Sequence, residues 1–144
     1  MSIKTDRSAS LAGSAALIES LRARCTADIE GLRLAILFGS CSRETERADS
    51  DIDLAVLAKR PLSLAERESL IGQIALLTGR PVDLVDLFNV GEPLLNQILT
   101  TGTRIVGGDA DFAQLMMRNV IANADFVPLQ RRLLKERRDA WIRN

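Results

Sequence analysis

From Ser10 to about Asp28, apolar side chains return at Leu11, Ala15, Leu17, Ile18 and Leu21, the spacing of one helical face, so this stretch reads as a first amphipathic helix. Leu32-Arg-Leu-Ala-Ile-Leu-Phe38 is almost wholly apolar and stops at Gly39-Ser40, the pattern of a buried strand ended by a turn. Cys41 to Ser50 is polar and charged, and then Ile52, Leu54, Val56 and Leu57 mark a second strand ending near Ala58. Ser63 with Glu66 three residues on carries the capping-box signature of a helix start. Leu64, Leu70, Ile71, Ile74 and Leu77 extend that helix to Thr78-Gly79, where glycine suits the stop. Pro81 to Phe88 reads as a third strand, Glu92 to about Thr101 as a short helix, and Thr103 to Val106 as a small edge strand cut off by Gly107-Gly108. Asp111 is placed to cap a helix in which Phe112, Leu115, Met116 and Val120 share a face, and Pro128 either kinks it or starts a last helix through Trp141.

This order implies an α/β (α+β) fold, a small mixed sheet flanked by helices and followed by C-terminal helices. The second strand, its crossover helix and the third strand form a βαβ unit, so those two strands should run parallel. A length of 144 residues suits one domain over 1–144, with a core at about 30–107 and a C-terminal helical segment over 111–144.

Composition narrows the chemistry. With 47% hydrophobic and 26% charged residues the chain has a globular balance, which sets disordered and fibrous classes aside. The formal net charge is zero but unevenly spread: residues 129–144 hold Arg131, Arg132, Lys135, Arg137, Arg138 and Arg143 against Glu136 and Asp139, so this stretch carries +4 and the rest −4. Such a stretch is usually a solvated face; docking of an acidic partner or RNA is the alternative. No apolar run is long enough to span a membrane and the N-terminus is polar, so the expected location is the cytoplasm. Cys25 and Cys41 are too few for a disulfide framework or a zinc site. The absence of histidine removes Ser-His-Asp triads, Cys-His dyads and His-held metals, so any metal here must be a hard cation on oxygen ligands.

Asp51 and Asp53 are two apart at the head of a strand, so both point to one face with Cα atoms roughly 6.5 Å apart. Ile52, Leu54 and Val56 take the other face, while Ala55 and Leu57 share the acids' face but are apolar. Asp83, near the start of the third strand, should lie at the same sheet edge, whereas Asp86 has the opposite parity and sits farther along. Crowded carboxylates repel one another and are usually tolerated because a cation binds there. Mg²⁺, with Mn²⁺ as a substitute, takes one or two carboxylates plus substrate phosphate oxygens, which makes Asp51, Asp53 and Asp83 the candidate metal-binding and catalytic residues. Asp83 is also placed to help deprotonate an acceptor hydroxyl. Gly39 allows the backbone to approach a phosphate, the Ser40 hydroxyl and following N–H groups can bind its oxygens, and Arg43 can reach a triphosphate. Ser50 completes the candidate nucleotide-binding set, with a turn cap as its plainer reading.

Gly39-Ser40, ten residues, then Asp51-Ile52-Asp53 resembles the G-S-x10-D-x-D signature of the DNA polymerase β-like nucleotidyltransferase superfamily. Leu37-Phe-Gly-Ser40, Ser50 to Leu57 and Val82 to Leu87 resemble more narrowly the minimal nucleotidyltransferase (MNT) antitoxins of HEPN/MNT toxin–antitoxin modules. The resemblance covers about residues 30–107, and Glu44 stands where many relatives have glycine after the arginine. It implies the polymerase β-like fold, Mg²⁺ on Asp51, Asp53 and Asp83, and transfer of AMP from ATP to a tyrosine of a HEPN ribonuclease toxin in a hetero-oligomer. No membrane contact is expected, nor direct nucleic-acid binding. Two rival readings remain: an antitoxin that neutralises its partner by binding alone, and a nucleotidyltransferase acting on a small molecule such as an antibiotic.

Overall fold

The computed structural model describes residues 5–39 and 50–142. Its sheet is built around the two most apolar strands, β1 (Leu32–Phe38) and β2 (Ile52–Ala58), which pair antiparallel at the centre of the order β3-β2-β1-β4. β3 (Val82–Asp86) lies parallel to β2, as the βαβ reading requires, and β4 (Thr103–Val106) runs antiparallel to β1 at the other edge. Both central strands are buried on both faces, which explains why they read as continuous apolar runs rather than alternating ones.

Helices cover each face. α1 (Thr5–Asp28) and α2 (Leu64–Thr78) pack over one side, where Leu21, Cys25, Leu70 and Ile74 meet Ala35, Leu37, Ile52, Leu54 and Val56. α3 (Leu94–Thr101) and α4 (Asp109–Ile142) pack over the other, where Leu95, Ile98 and Leu115 meet Leu34, Ile36, Phe38, Ala55 and Leu57. Polar ties fix the layers. Arg22 Nε donates to the Ile105 carbonyl at 2.8 Å, Arg67 Nη2 to the Leu84 carbonyl at 3.1 Å on the free edge of β3, and Arg118 Nη2 to the Leu87 carbonyl at 2.6 Å.

Several boundaries differ from the pattern reading for local reasons. α1 is already helical at Thr5, the first described residue, ahead of the expected start at Ser10, because Ser and Ala in these turns lack an apolar period yet are compatible with helix. β3 stops at Asp86 because its side chain accepts the Phe88 N–H at 3.0 Å and turns the chain. α4 starts at Asp109, so Asp111 is not the cap: it lies in the first turn and accepts from Arg33 Nε at 2.9 Å. The same helix runs through Pro128 to Ile142, so among the described residues Pro128 does not start a separate last helix.

α2 starts as its sequence demands. The Ser63 hydroxyl accepts the Glu66 N–H at 3.2 Å, the Glu66 carboxylate accepts the Ser63 N–H at 2.7 Å, and Gly79 closes the helix in the left-handed region at φ 67°. Removing one member of this reciprocal cap leaves an unpaired N–H in the first turn. Ser63→Ala should therefore lower stability by about 1 kcal/mol, read as a shifted urea midpoint with an unchanged slope.

Candidate active site

Antiparallel β1–β2 and parallel β2–β3 pairing bring the end of β1 and the starts of β2 and β3 to one sheet edge. Phe38 is the register partner of Asp53, and Asp53 that of Asp83. Neighbouring strands lie about 4.8 Å apart, so Asp53 and Asp83 stand side by side on one face. Asp51, one residue before β2, has the same parity as Asp53. Asp53 is partly buried between its neighbours, while Asp51 and Asp83 are exposed.

The three carboxylates act on one another. The Asp53 carboxyl is held above its ordinary range, first by burial, then by the charge of Asp83, then by that of Asp51. Among the described residues no three His, Cys, Asp or Glu side chains cluster tightly enough to cage a metal by themselves. The donors are nonetheless of the kind a hard divalent cation takes: all are oxygen, and the central carboxylate is disfavoured as an anion by burial and by its neighbours' charge.

Gly39 closes the site on the β1 side. Its φ is +69°, and a Cβ there would run into the Asp53 carboxylate, with Cγ at 3.0 Å and Cβ at 3.3 Å. A side chain at this position would thus be strained in its backbone and would displace the central acid. Ser40 and Arg43 lie outside the described residues, as do Cys41 and Glu44. Ser50 is partly buried, and its carbonyl accepts Arg80 Nε at 2.7 Å.

Asp86 is separated from this group. It is 9% exposed, and its Oδ2 accepts the Leu62 N–H at 2.9 Å while Oδ1 accepts the Phe88 N–H at 3.0 Å, at the far end of β3. The pattern of residues did not single out Arg80. It sits between a helix-ending glycine and Pro81, where a basic residue reads as a solvated helix end, and its burial at 9% exposure arises only when the α2–β3 turn closes against Ser50.

Two substitutions separate structural from electrostatic roles. Asp86→Ala should lower stability by about 1–3 kcal/mol, because it takes the acceptor from two partly buried N–H groups. Asp53→Asn should do the opposite at neutral pH. A carboxyl whose folded-state pKa is raised contributes stability at low pH that is lost as pH rises through that pKa. The gain from Asp53→Asn should therefore appear near pH 7 and vanish towards pH 4, as checked by urea melts of both proteins across that range. Equal pH profiles would contradict the repulsion.

The polymerase beta nucleotidyltransferase family model matches residues 23–111, well over half of the chain. Protein adenylyltransferase MntA of Shewanella oneidensis is 39% identical over 84 residues, which make up 58% of this chain and 60% of that relative's length. A chain from a crystal structure of a toxin–antitoxin with AMP-PNP superposes with a TM-score of 0.76 at 28% identity, covering 83% of this chain and 96% of that one. A chain from the complex of a tri-AMPylated Shewanella oneidensis HEPN toxin with its MNT antitoxin gives a TM-score of 0.67 at 27% identity, covering 84% of this chain and 98% of that one. The four-stranded mixed sheet with its flanking helices is the polymerase β-like fold, and the chain belongs to the polymerase beta nucleotidyltransferase family.

Proposed function

We propose that this protein is an antitoxin that transfers AMP from ATP to a tyrosine of a HEPN ribonuclease toxin in the cytoplasm. The observation that carries the reading is Asp53, flanked by Asp83 and Asp51 and pressed against Gly39. Relatives that share the fold include an adenylyltransferase and antitoxins in complexes with AMP-PNP or with an AMPylated toxin.

In this reading Asp51, Asp53 and Asp83 hold Mg²⁺, or Mn²⁺ in its place. Bound there, the cation would supply positive charge to neutralise the triphosphate in an in-line displacement. Gly39 keeps the wall beside Asp53 free of side-chain atoms, so that the triphosphate can approach the acids. Ser40, Arg43 and Ser50 bind phosphate oxygens. The tyrosine oxygen forms a bond to the α-phosphorus, the bond to the β-phosphate bridging oxygen breaks, and pyrophosphate leaves. Asp83, exposed at the rim, accepts the tyrosine proton.

A protein acceptor is supported by α4. Leu133 and Leu134 stand eighteen residues, or about five turns, beyond Leu115 and Met116 and so repeat the face that packs on the sheet. Past the body that face is bare: Leu133, Leu134 and Trp141 are 51%, 64% and 85% exposed, beside Arg131, Lys135 and Arg138. An uncovered apolar stripe of this kind marks a partner surface. The same stripe favours a second reading, in which binding alone neutralises the toxin.

Labelled ATP, Mg²⁺ and a purified HEPN-domain toxin as partner separate the two. Wild type should label the partner, and Asp53→Ala and Gly39→Ala should each reduce labelling at least about 10²-fold while still binding it. Leu133→Asp combined with Leu134→Asp should weaken the complex without weakening ATP binding. Partner neutralised with no label under Mg²⁺ or Mn²⁺ would sink the transfer reading.

A further inference from the structure

We propose that Arg80 is a positioning residue for this site, clamping the start of β2 to the start of β3 so that Asp51 and Asp53 keep their spacing from Asp83. Two consecutive residues, Arg80 and Pro81, bond the two residues that bracket Asp51. Arg80 Nε donates to the Ser50 carbonyl at 2.7 Å, and the Pro81 carbonyl accepts the Ile52 N–H at 2.8 Å. Asp51 is therefore straddled. On the other side of the clamp the chain enters β3 at Val82, and Asp83 follows.

The turn that presents Arg80 is itself fixed. Gly79 takes the left-handed conformation at φ 67° and donates its N–H to the Ala75 carbonyl at 2.8 Å. The Arg80 N–H then reaches the Thr78 hydroxyl at 3.3 Å, whose own proton goes to the Ile74 carbonyl at 2.8 Å. The guanidinium is enclosed as a result, with Arg80 9% exposed. Burying a cation is unfavourable unless it is bonded and electrostatically compensated. The bond from Nε to the Ser50 carbonyl supplies part of that compensation.

Arginine suits the place for a geometric reason. The bond to Ser50 runs from Nε, inside the plane of the guanidinium, so its direction is set by a rigid group rather than by a rotating ammonium. A lysine supplies the charge but not this directed N–H. If charge alone mattered, lysine would serve; if the clamp matters, it will not.

This inference rests on the AMP-transfer reading for its kinetic consequence, but half of its test needs neither ATP nor partner. Native-state hydrogen exchange in Arg80→Lys should speed the Ile52 amide at least about tenfold relative to wild type while leaving the Leu54 amide, deeper in β2, unchanged. General destabilisation would speed both, and an unchanged Ile52 amide would overturn the clamp. In AMP transfer with the full chain and its HEPN partner, Arg80→Lys and Arg80→Gln should both lose roughly 10²-fold in kcat with KM for the partner nearly unchanged, the signature of misplaced catalytic groups. Rescue of kcat by lysine would overturn the directed-bond argument. If wild type itself fails to transfer, the function falls and the exchange result alone decides the clamp. Should Arg80→Gln fold poorly, Arg80→Lys carries the test.

Discussion

Everything at this site depends on the parallel register that sets Asp53 beside Asp83. A slip of one residue would turn every β2 side chain to the opposite face, taking Asp53 from the open edge into the layer beneath α1 and α2. Double-sided burial forbids that slip. Ile52, Leu54 and Val56 fill one layer and Ala55 and Leu57 the other, so either displacement would force a charge into an apolar core. The register is also tied at both ends, by the Ile52 N–H on the Pro81 carbonyl and by the Leu87 N–H on the Val56 carbonyl, each at 2.8 Å.

The rigid frame is what allows three like charges to be held together. In a loose loop the carboxylates would swing apart and their repulsion would relax; on register-locked strands Asp53 and Asp83 stay side by side. The Asp53 carboxyl is pushed up first by its burial and then by the charges of Asp83 and Asp51. On the proposed AMP-transfer reading, a cation and polyphosphate would bind in part by relieving that condition, which would couple substrate binding to stability.

Parity and crossover rules made the carboxylate side legible in the sequence. Asp51, Asp53 and Asp83 fall together because periods of two and the handed βαβ connection leave little choice, and Asp86 falls away for the same reason, to serve as an acceptor for Leu62 and Phe88. The strands were equally legible, since burial on both faces writes itself as unbroken apolar runs. Less legible were features decided by distant contacts. Asp111 reads as a cap by composition but is claimed by Arg33, 78 positions away, and Arg80 reads as a solvated helix end until the turn closes on Ser50. Of the two readings of Pro128, the start of a separate helix fails, because Leu129 to Ile142 is mostly strong helix formers and their summed preference carries α4 through.

The break in alternation after Asp53 shows how one strand face is divided between chemistry and packing. Asp53, Ala55 and Leu57 share a face, but α3 and α4 cover only the part over Ala55 and Leu57, together with Leu34, Ile36 and Phe38 of β1. The acids begin where that cover ends. Lengthening the cover would bury the carboxylates, and shortening it would expose Phe38 and Ala55 and loosen the strand that aims them. The edge of the helical layer therefore sets the edge of the site, and the apolar residues beside Asp53 are as necessary to its position as the clamp at the head of β2.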